Sequence, residues 1–109
     1  MSYQAVASAE SLWPGEMSGV VVGRVKVLLV NVEGTVHAYE NRCAHQGQEL
    51  SRGRLDGQVL TCWAHEWRYD ACTGKGINPE RALLRRFPVK IENGRIYVDV
   101  DNGSSSRQA

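Results

Sequence analysis

Two short motifs constrain this chain more than anything else in it: Cys43-Ala44-His45 and Cys62-Trp63-Ala64-His65, with residues 46–61 between them. Each motif puts one thiolate and one imidazole on a short stretch, so that both side chains of a pair can turn toward one metal centre. A fold for this chain therefore has to bring two loops to a common point. The set Cys43, His45, Cys62 and His65 has two chemical readings. One is a tetrahedral Cys₂His₂ zinc site. The other is an asymmetric 2Fe-2S cluster, with the cysteines on one iron and the histidines on the other. Cys-x-His is an unusual half-site for a zinc knuckle, and the matched pairs favour the cluster. Zinc is colourless and redox-silent, so visible absorption and a metal assay separate the two.

The rest of the composition is ordinary. The 109 residues suffice for one domain with a modest core, and 42% apolar with 23% charged residues is typical of a globular chain. A net charge of +1 with scattered arginines gives no case for nucleic acid or an anionic membrane. The N-terminus places Gln4, Ser8 and Glu10 where a secretory signal would need an apolar core, and Val27 to Val30 is too short a run to span a bilayer. Three cysteines have no disulfide-framework spacing, which suits a reducing, cytoplasmic setting. No dinucleotide fingerprint, phosphate loop or nucleophile–base pair is present, so catalysis by the chain itself is not expected.

Short apolar runs with frequent turn signals predict an all-β chain with almost no helix. Strands are expected at Gln4 to Ala7, Met17 to Val22, Val25 to Asn31, Thr35 to Glu40, Gln58 to Thr61 and Trp67 to Tyr69. A longer strand, Leu83 to Glu92, is expected to pair with Arg95 to Val100 across an Asn93-Gly94 turn, a dipeptide that tolerates positive φ. One helical turn capped by Ser8 should precede Pro14-Gly15. Alternation puts Val36 and Ala38 on one face of their strand and His37 and Tyr39 on the other. Residues 41–77 lose this periodicity and read as a ligand-bearing lobe within a single domain of residues 1–100; residues 101–109 read as a flexible tail.

Around the motifs the resemblance to a known family is close. Glu40-Asn41-Arg42 leads into Cys43-Ala44-His45-Gln46-Gly47. The second motif continues as Glu66-Trp67-Arg68-Tyr69-Asp70 and then Thr73-Gly74, with Gly76-Ile77-Asn78-Pro79 and Phe87-Pro88-Val89-Lys90 beyond. Over residues 3 to 100 the chain resembles Rieske-type ferredoxins, most of all those of toluene (aromatic) monooxygenase systems. The resemblance implies the Rieske fold, an antiparallel β-sandwich or barrel base with an inserted cluster-binding lobe. It implies one 2Fe-2S cluster per chain on Cys43, His45, Cys62 and His65. It also implies a monomeric one-electron carrier between an NADH-dependent flavin/iron–sulfur reductase and a diiron hydroxylase. Three rival roles share parts of this pattern: the ferredoxin of an aromatic-ring dioxygenase, an iron–sulfur lobe serving another enzyme such as a nitrite reductase, and a zinc-stabilised interaction module.

Departures from the family bear on potential. Gln48 and Ala64 stand where high-potential members carry an extra cysteine pair, and Trp67 stands where they carry a serine that donates to a sulfide. Tyr69 is kept, and its hydroxyl is expected near a cysteine sulfur. A low potential follows. Trp63 and Trp67 are expected to pack against the lobe, His37 to be an exposed or hydrogen-bonded strand residue, and Cys72 to have no role. Gln46, Gly47, Glu66 and Pro79 are expected to frame the tip where a redox partner docks.

Overall fold

The computed structural model describes residues 3–43, 49–63, 66–78, 80 and 82–102. Among these the regular structure is eleven strands and three single 3₁₀ turns, with no α-helix. The strands are β1 (Gln4–Ser8), β2 (Met17–Val22), β3 (Val25–Val32), β4 (Thr35–Glu40), β5 (Arg54–Asp56), β6 (Val59–Thr61), β7 (Arg68–Asp70), β8 (Gly76–Asn78), β9 (Arg86–Phe87), β10 (Val89–Glu92) and β11 (Arg95–Val98). They form three antiparallel sheets, ordered β1-β11-β10, β2-β3-β4-β9 and β5-β6-β7-β8. The all-β, antiparallel expectation is met.

Strand β3 explains the layering. Its sequence is apolar without alternation, and every residue from Val27 to Val32 is buried. A strand of that kind must be covered on both faces. Val27 and Leu29 join Val36, Ala38, Phe87, Ile96 and Val98 in one core, between the middle sheet and the β1-β11-β10 sheet. Leu28, Val30 and Val32 join Tyr39, Leu60, Tyr69 and both Cys43 and Cys62 in a second core, between the middle sheet and β5–β8. The predicted alternation in β4 is borne out, since Val36 and Ala38 fall in the first core and Tyr39 in the second. Each fully buried Leu or Val contributes about 1.5–3 kcal/mol, so β3 supplies both layers at once.

Turn chemistry fixes the hairpins. Glu33-Gly34 joins β3 to β4 with φ of 53° and 96°, and Asn93-Gly94 joins β10 to β11 with φ of 52° and 75°. Both central residues left-handed is the type I′ geometry whose twist suits a two-residue hairpin. Asn31 locks the first of these turns, accepting from Gly34 N–H at 2.8 Å while its own amide donates to the Leu12 carbonyl at 2.9 Å.

Three expectations need correcting. The strand from Leu83 to Glu92 is two strands: β9 pairs with β4 in the middle sheet and β10 with β11 in the outer one. Pro88 lies between them. It has no N–H to donate, and such a residue marks a corner where a chain changes sheets. The lobe is more regular than its composition suggested, because β5 and β8 flank β6 and β7 in a four-stranded sheet. Asp101 opens no frayed tail at once: Val100–Asn102 is a 3₁₀ turn, and Asp101 N–H donates to Asp99 Oδ1 at 3.0 Å. The remainder of the expected tail, residues 103–109, lies outside the described residues.

Candidate metal centre

Both cysteines of the motifs sit on loops of the second core. Cys43 follows β4 and Cys62 follows β6; they are 2% and 1% exposed and belong to the same apolar cluster. No disulfide joins Cys43, Cys62 or Cys72. The Tyr69 hydroxyl lies 3.3 Å from the Cys43 sulfur, as the sequence led us to expect. Tyr69 reaches it from β7, where it pairs with Leu60. A hydroxyl at that distance stabilises a thiolate and any added negative charge on what the thiolate binds.

The second loop is a hairpin connection. Cys62 N–H donates to the Trp67 carbonyl at 2.8 Å, continuing the β6–β7 ladder by one pair. Glu66 N–H then returns to the Cys62 carbonyl at 3.1 Å, with Glu66 held at a φ of 56°. The Cys62 backbone is thus pinned on both sides by its own hairpin. Gly53, just before β5, approaches the end of β6 closely, since a Cβ there would collide with the Thr61 carbonyl. His45 and His65 lie outside the described residues, as do Gln46, Gly47 and Gln48 in the first loop, Ala64 in the second, and Pro79 beyond β8.

The donor chemistry fits a cluster of the expected kind. Two buried thiols in one cluster, on two separate loops, with a tyrosine hydroxyl aimed at one of them, supply the sulfur half of an asymmetric centre. Among the described residues no three His, Cys, Asp or Glu side chains converge, so neither Cys72 nor His37 belongs to a further ligand set there.

The residues around the site divide. Trp67 packs against the second core, as expected. Trp63 does not: it is 52% exposed, with the Arg52 guanidinium 5.9 Å from its ring centroid. The reason is the hairpin, which turns residue 63 out at the tip while Cys62 points inward. Glu66 is exposed beside it. His37 is buried and hydrogen-bonded rather than exposed; its Nδ1 lies 3.3 Å from an Arg86 nitrogen. Burial, and next the Arg86 charge, hold its pKa below the ordinary value. Cys72 lies past the far end of β7, in the turn Asp70–Gly74, where its N–H donates to Asp70 Oδ1 at 2.9 Å. Burial and then Asp70 push its thiol pKa up, which disfavours a reactive thiolate. Tyr39 ties the middle sheet to this turn, donating to the Ala71 carbonyl at 2.7 Å. Sequence reasoning missed Tyr39 as a fastener; its place on the face opposite Val36 was the available signal.

A small all-β chain that brings two buried cysteines on separate loops into one lobe is a metal-binding protein of the iron–sulfur or zinc kind. Residues 2–88 match the Rieske [2Fe-2S] domain, and the chain belongs to that family, with a Rieske-type 2Fe-2S cluster as its cofactor. It is 44% identical over 103 residues to the ferredoxin component of the alkene monooxygenase system of Xanthobacter autotrophicus, covering 93% of this chain and 84% of that one. It is 38% identical over 98 residues to the ferredoxin component of the naphthalene 1,2-dioxygenase system of Pseudomonas putida, covering 89% and 93%. Among solved structures it superposes with a TM-score of 0.82 on the ferredoxin of carbazole 1,9a-dioxygenase from Nocardioides aromaticivorans, at 26% identity over 90% of this chain and 97% of that one. A chain in the complex of reduced oxygenase and oxidized ferredoxin of carbazole 1,9a-dioxygenase matches at a TM-score of 0.81 and 32% identity, covering 88% and 91%. No helix among the described residues is long and apolar enough to cross a membrane.

Proposed function

We propose that the protein is the ferredoxin of a multicomponent hydrocarbon monooxygenase. It takes single electrons from an NADH-dependent flavin reductase and delivers them to a diiron hydroxylase that acts on an aromatic or alkene substrate. The observation that carries this reading is the 44% identity, over 93% of the chain, to an alkene monooxygenase ferredoxin. Cys43 and Cys62 hold one iron and His45 and His65 the other. When bound, the cluster supplies a one-electron couple. The chain's own part is to bury the two thiolates, hold their backbones, and present one hydroxyl to Cys43. The naphthalene dioxygenase ferredoxin, at 38% identity, supports a second reading in which the acceptor is a ring dioxygenase.

Reconstitution decides between them. With NADH, a flavin reductase and oxygen, the protein is expected to drive the oxygenase of the Xanthobacter alkene monooxygenase system and to leave naphthalene 1,2-dioxygenase idle. The reverse pattern selects the dioxygenase reading. Iron-free, colourless protein without a paramagnetic signal on reduction would overturn both and favour zinc. With one hydroxyl donor on Cys43 and no serine after the second histidine, the midpoint is expected near the bottom of the Rieske range of about −150 to +300 mV. A value above about +100 mV, well inside that range, contradicts the argument.

A further inference from the structure

The two stems of the first ligand loop meet at Asn41 and Ser51. Asn41 stands two residues before Cys43 and is 4% exposed. Its Oδ1 accepts from Ser51 N–H at 3.0 Å, and its Nδ2 donates to Ser51 Oγ at 3.0 Å. Its own N–H donates to the Lys26 carbonyl at 2.8 Å, which anchors the pair to β3. Lys26 holds the other stem too, through an ion pair with Glu49 at 2.9 Å. Leu50, next to Ser51, is fully buried in the cluster that contains Cys43. From outside, Gly19 on the edge strand β2 closes over the pair: a Cβ there would meet Asn41 Nδ2 and Ser51 Oγ at 3.0 Å each.

We infer that the Asn41–Ser51 clasp is a positioning device that holds together the two backbone stems flanking Cys43 and sets how slowly Cys43 releases its metal. The chemistry of position 41 is specific. A donor and an acceptor are needed on one short, neutral side chain; aspartate lacks the donor, glutamine is one methylene too long, and serine has one atom for two partners. The clasp spans a loop that no disulfide ties to the second one, because position 48 is Gln and position 64 is Ala. Opening it leaves the buried Asn41 amide and the part-buried Ser51 N–H unsatisfied, a cost that falls on the stems of the loop.

The inference rests on Cys43 being a ligand, and the test keeps the two apart. Holoprotein is purified, its iron content measured, and the decay of its visible absorption followed under a large excess of an iron chelator at 25 °C. Parent protein without iron overturns the ligand assignment. With iron-loaded parent, Asn41→Ala is expected to lose its cluster about tenfold faster, the worth of the two lost hydrogen bonds. Ser51→Ala, which keeps the backbone bond to Oδ1, is expected to fall between. Val36→Ala, a cavity in the other core, serves as the control: it should lower the melting temperature with no change in decay. If Asn41→Ala does not fold, Ser51→Ala and Gly19→Ala decide, and both must speed decay. The inference is overturned if these variants decay at the parent's rate, or if Val36→Ala decays as fast as they do.

Discussion

The two cores of this molecule are built from the same central sheet by different means. The core toward β1-β11-β10 is aliphatic and aromatic packing between strands of four to eight residues and the two-residue β9, with Val27, Leu29, Phe87, Ile96 and Val98 almost wholly buried. The core toward β5–β8 holds two cysteines and two tyrosines, and its strands are three residues long. Strands that short bury little apolar surface. Beside the buried Leu50, Leu60, Tyr69 and Leu84, individual fasteners hold them: Tyr39 on the Ala71 carbonyl, Asn41 on Ser51, Asp70 on Cys72 N–H, and the Cys62–Trp67 ladder pair. Apolar packing underlies both halves; the lobe adds to it these specific bonds and its metal. One half is a platform; the other is expected to be a holder whose stability is coupled to its cargo.

Mutations can break that comparison. Cys62→Ala is expected to have the largest effect: no iron, no visible absorption, and fast amide exchange in β6 and β7 while β3 and β4 stay protected. Equal loss of protection in both halves would show that they fold as one unit. Phe87→Ala should do the opposite, costing about 3–5 kcal/mol of stability through a cavity in the sandwich while leaving the cluster spectrum intact at 25 °C. Chemical denaturation with absorption recorded alongside circular dichroism reads both.

Tyr69→Phe sharpens the comparison within the lobe. Packing is kept and only the hydroxyl near Cys43 goes. The midpoint should fall by roughly 20–60 mV, the worth of one net hydrogen bond in a one-electron couple. An unchanged midpoint would mean that the hydroxyl does not favour the reduced state.

The smallest effect is expected at His37, on the seam between the halves. Its folded pKa lies below the ordinary value of about 6.5. As pH falls through about 6.5 the unfolded chain takes up a proton that the folded chain still refuses, so stability declines from there downward. His37→Gln should flatten that slope in melting temperatures recorded between pH 7.5 and 5. A parent curve already flat over this window would place the ring outside the seam's energetics.

The halves also differ in how far they could be read from residues alone. In the sandwich, β2, β3, β4 and β11 were legible because a buried strand writes its burial into consecutive or alternate residues, and Glu33-Gly34 and Asn93-Gly94 name their turns. Pro88 was visible too, yet its effect was not: a proline announces a broken ladder without saying that the next strand joins another sheet. In the lobe the candidate ligands were the legible part, since ligand chemistry tolerates few residue types. Strands β6 and β7 could be read because they lead into and out of the second motif; β5 and β8, equally short, show no period and adjoin no motif. Trp63 was misplaced for a related reason. A large aromatic beside a ligand suggests packing, but a residue in a tight hairpin loop faces wherever the turn aims it.

By itself, then, the order of amino acids determined the candidate donor set, the β class, the main turns and the family, all of which depend on what a residue is and on its immediate neighbours. Tertiary structure alone decided that β3 serves two cores, that the chain changes sheets at Pro88, that Tyr39 and Asn41 fasten the lobe, and that Cys43 is the cysteine Tyr69 reaches. Those outcomes depend on contacts between residues far apart in the chain, and their free energy exists only once the layers have come together.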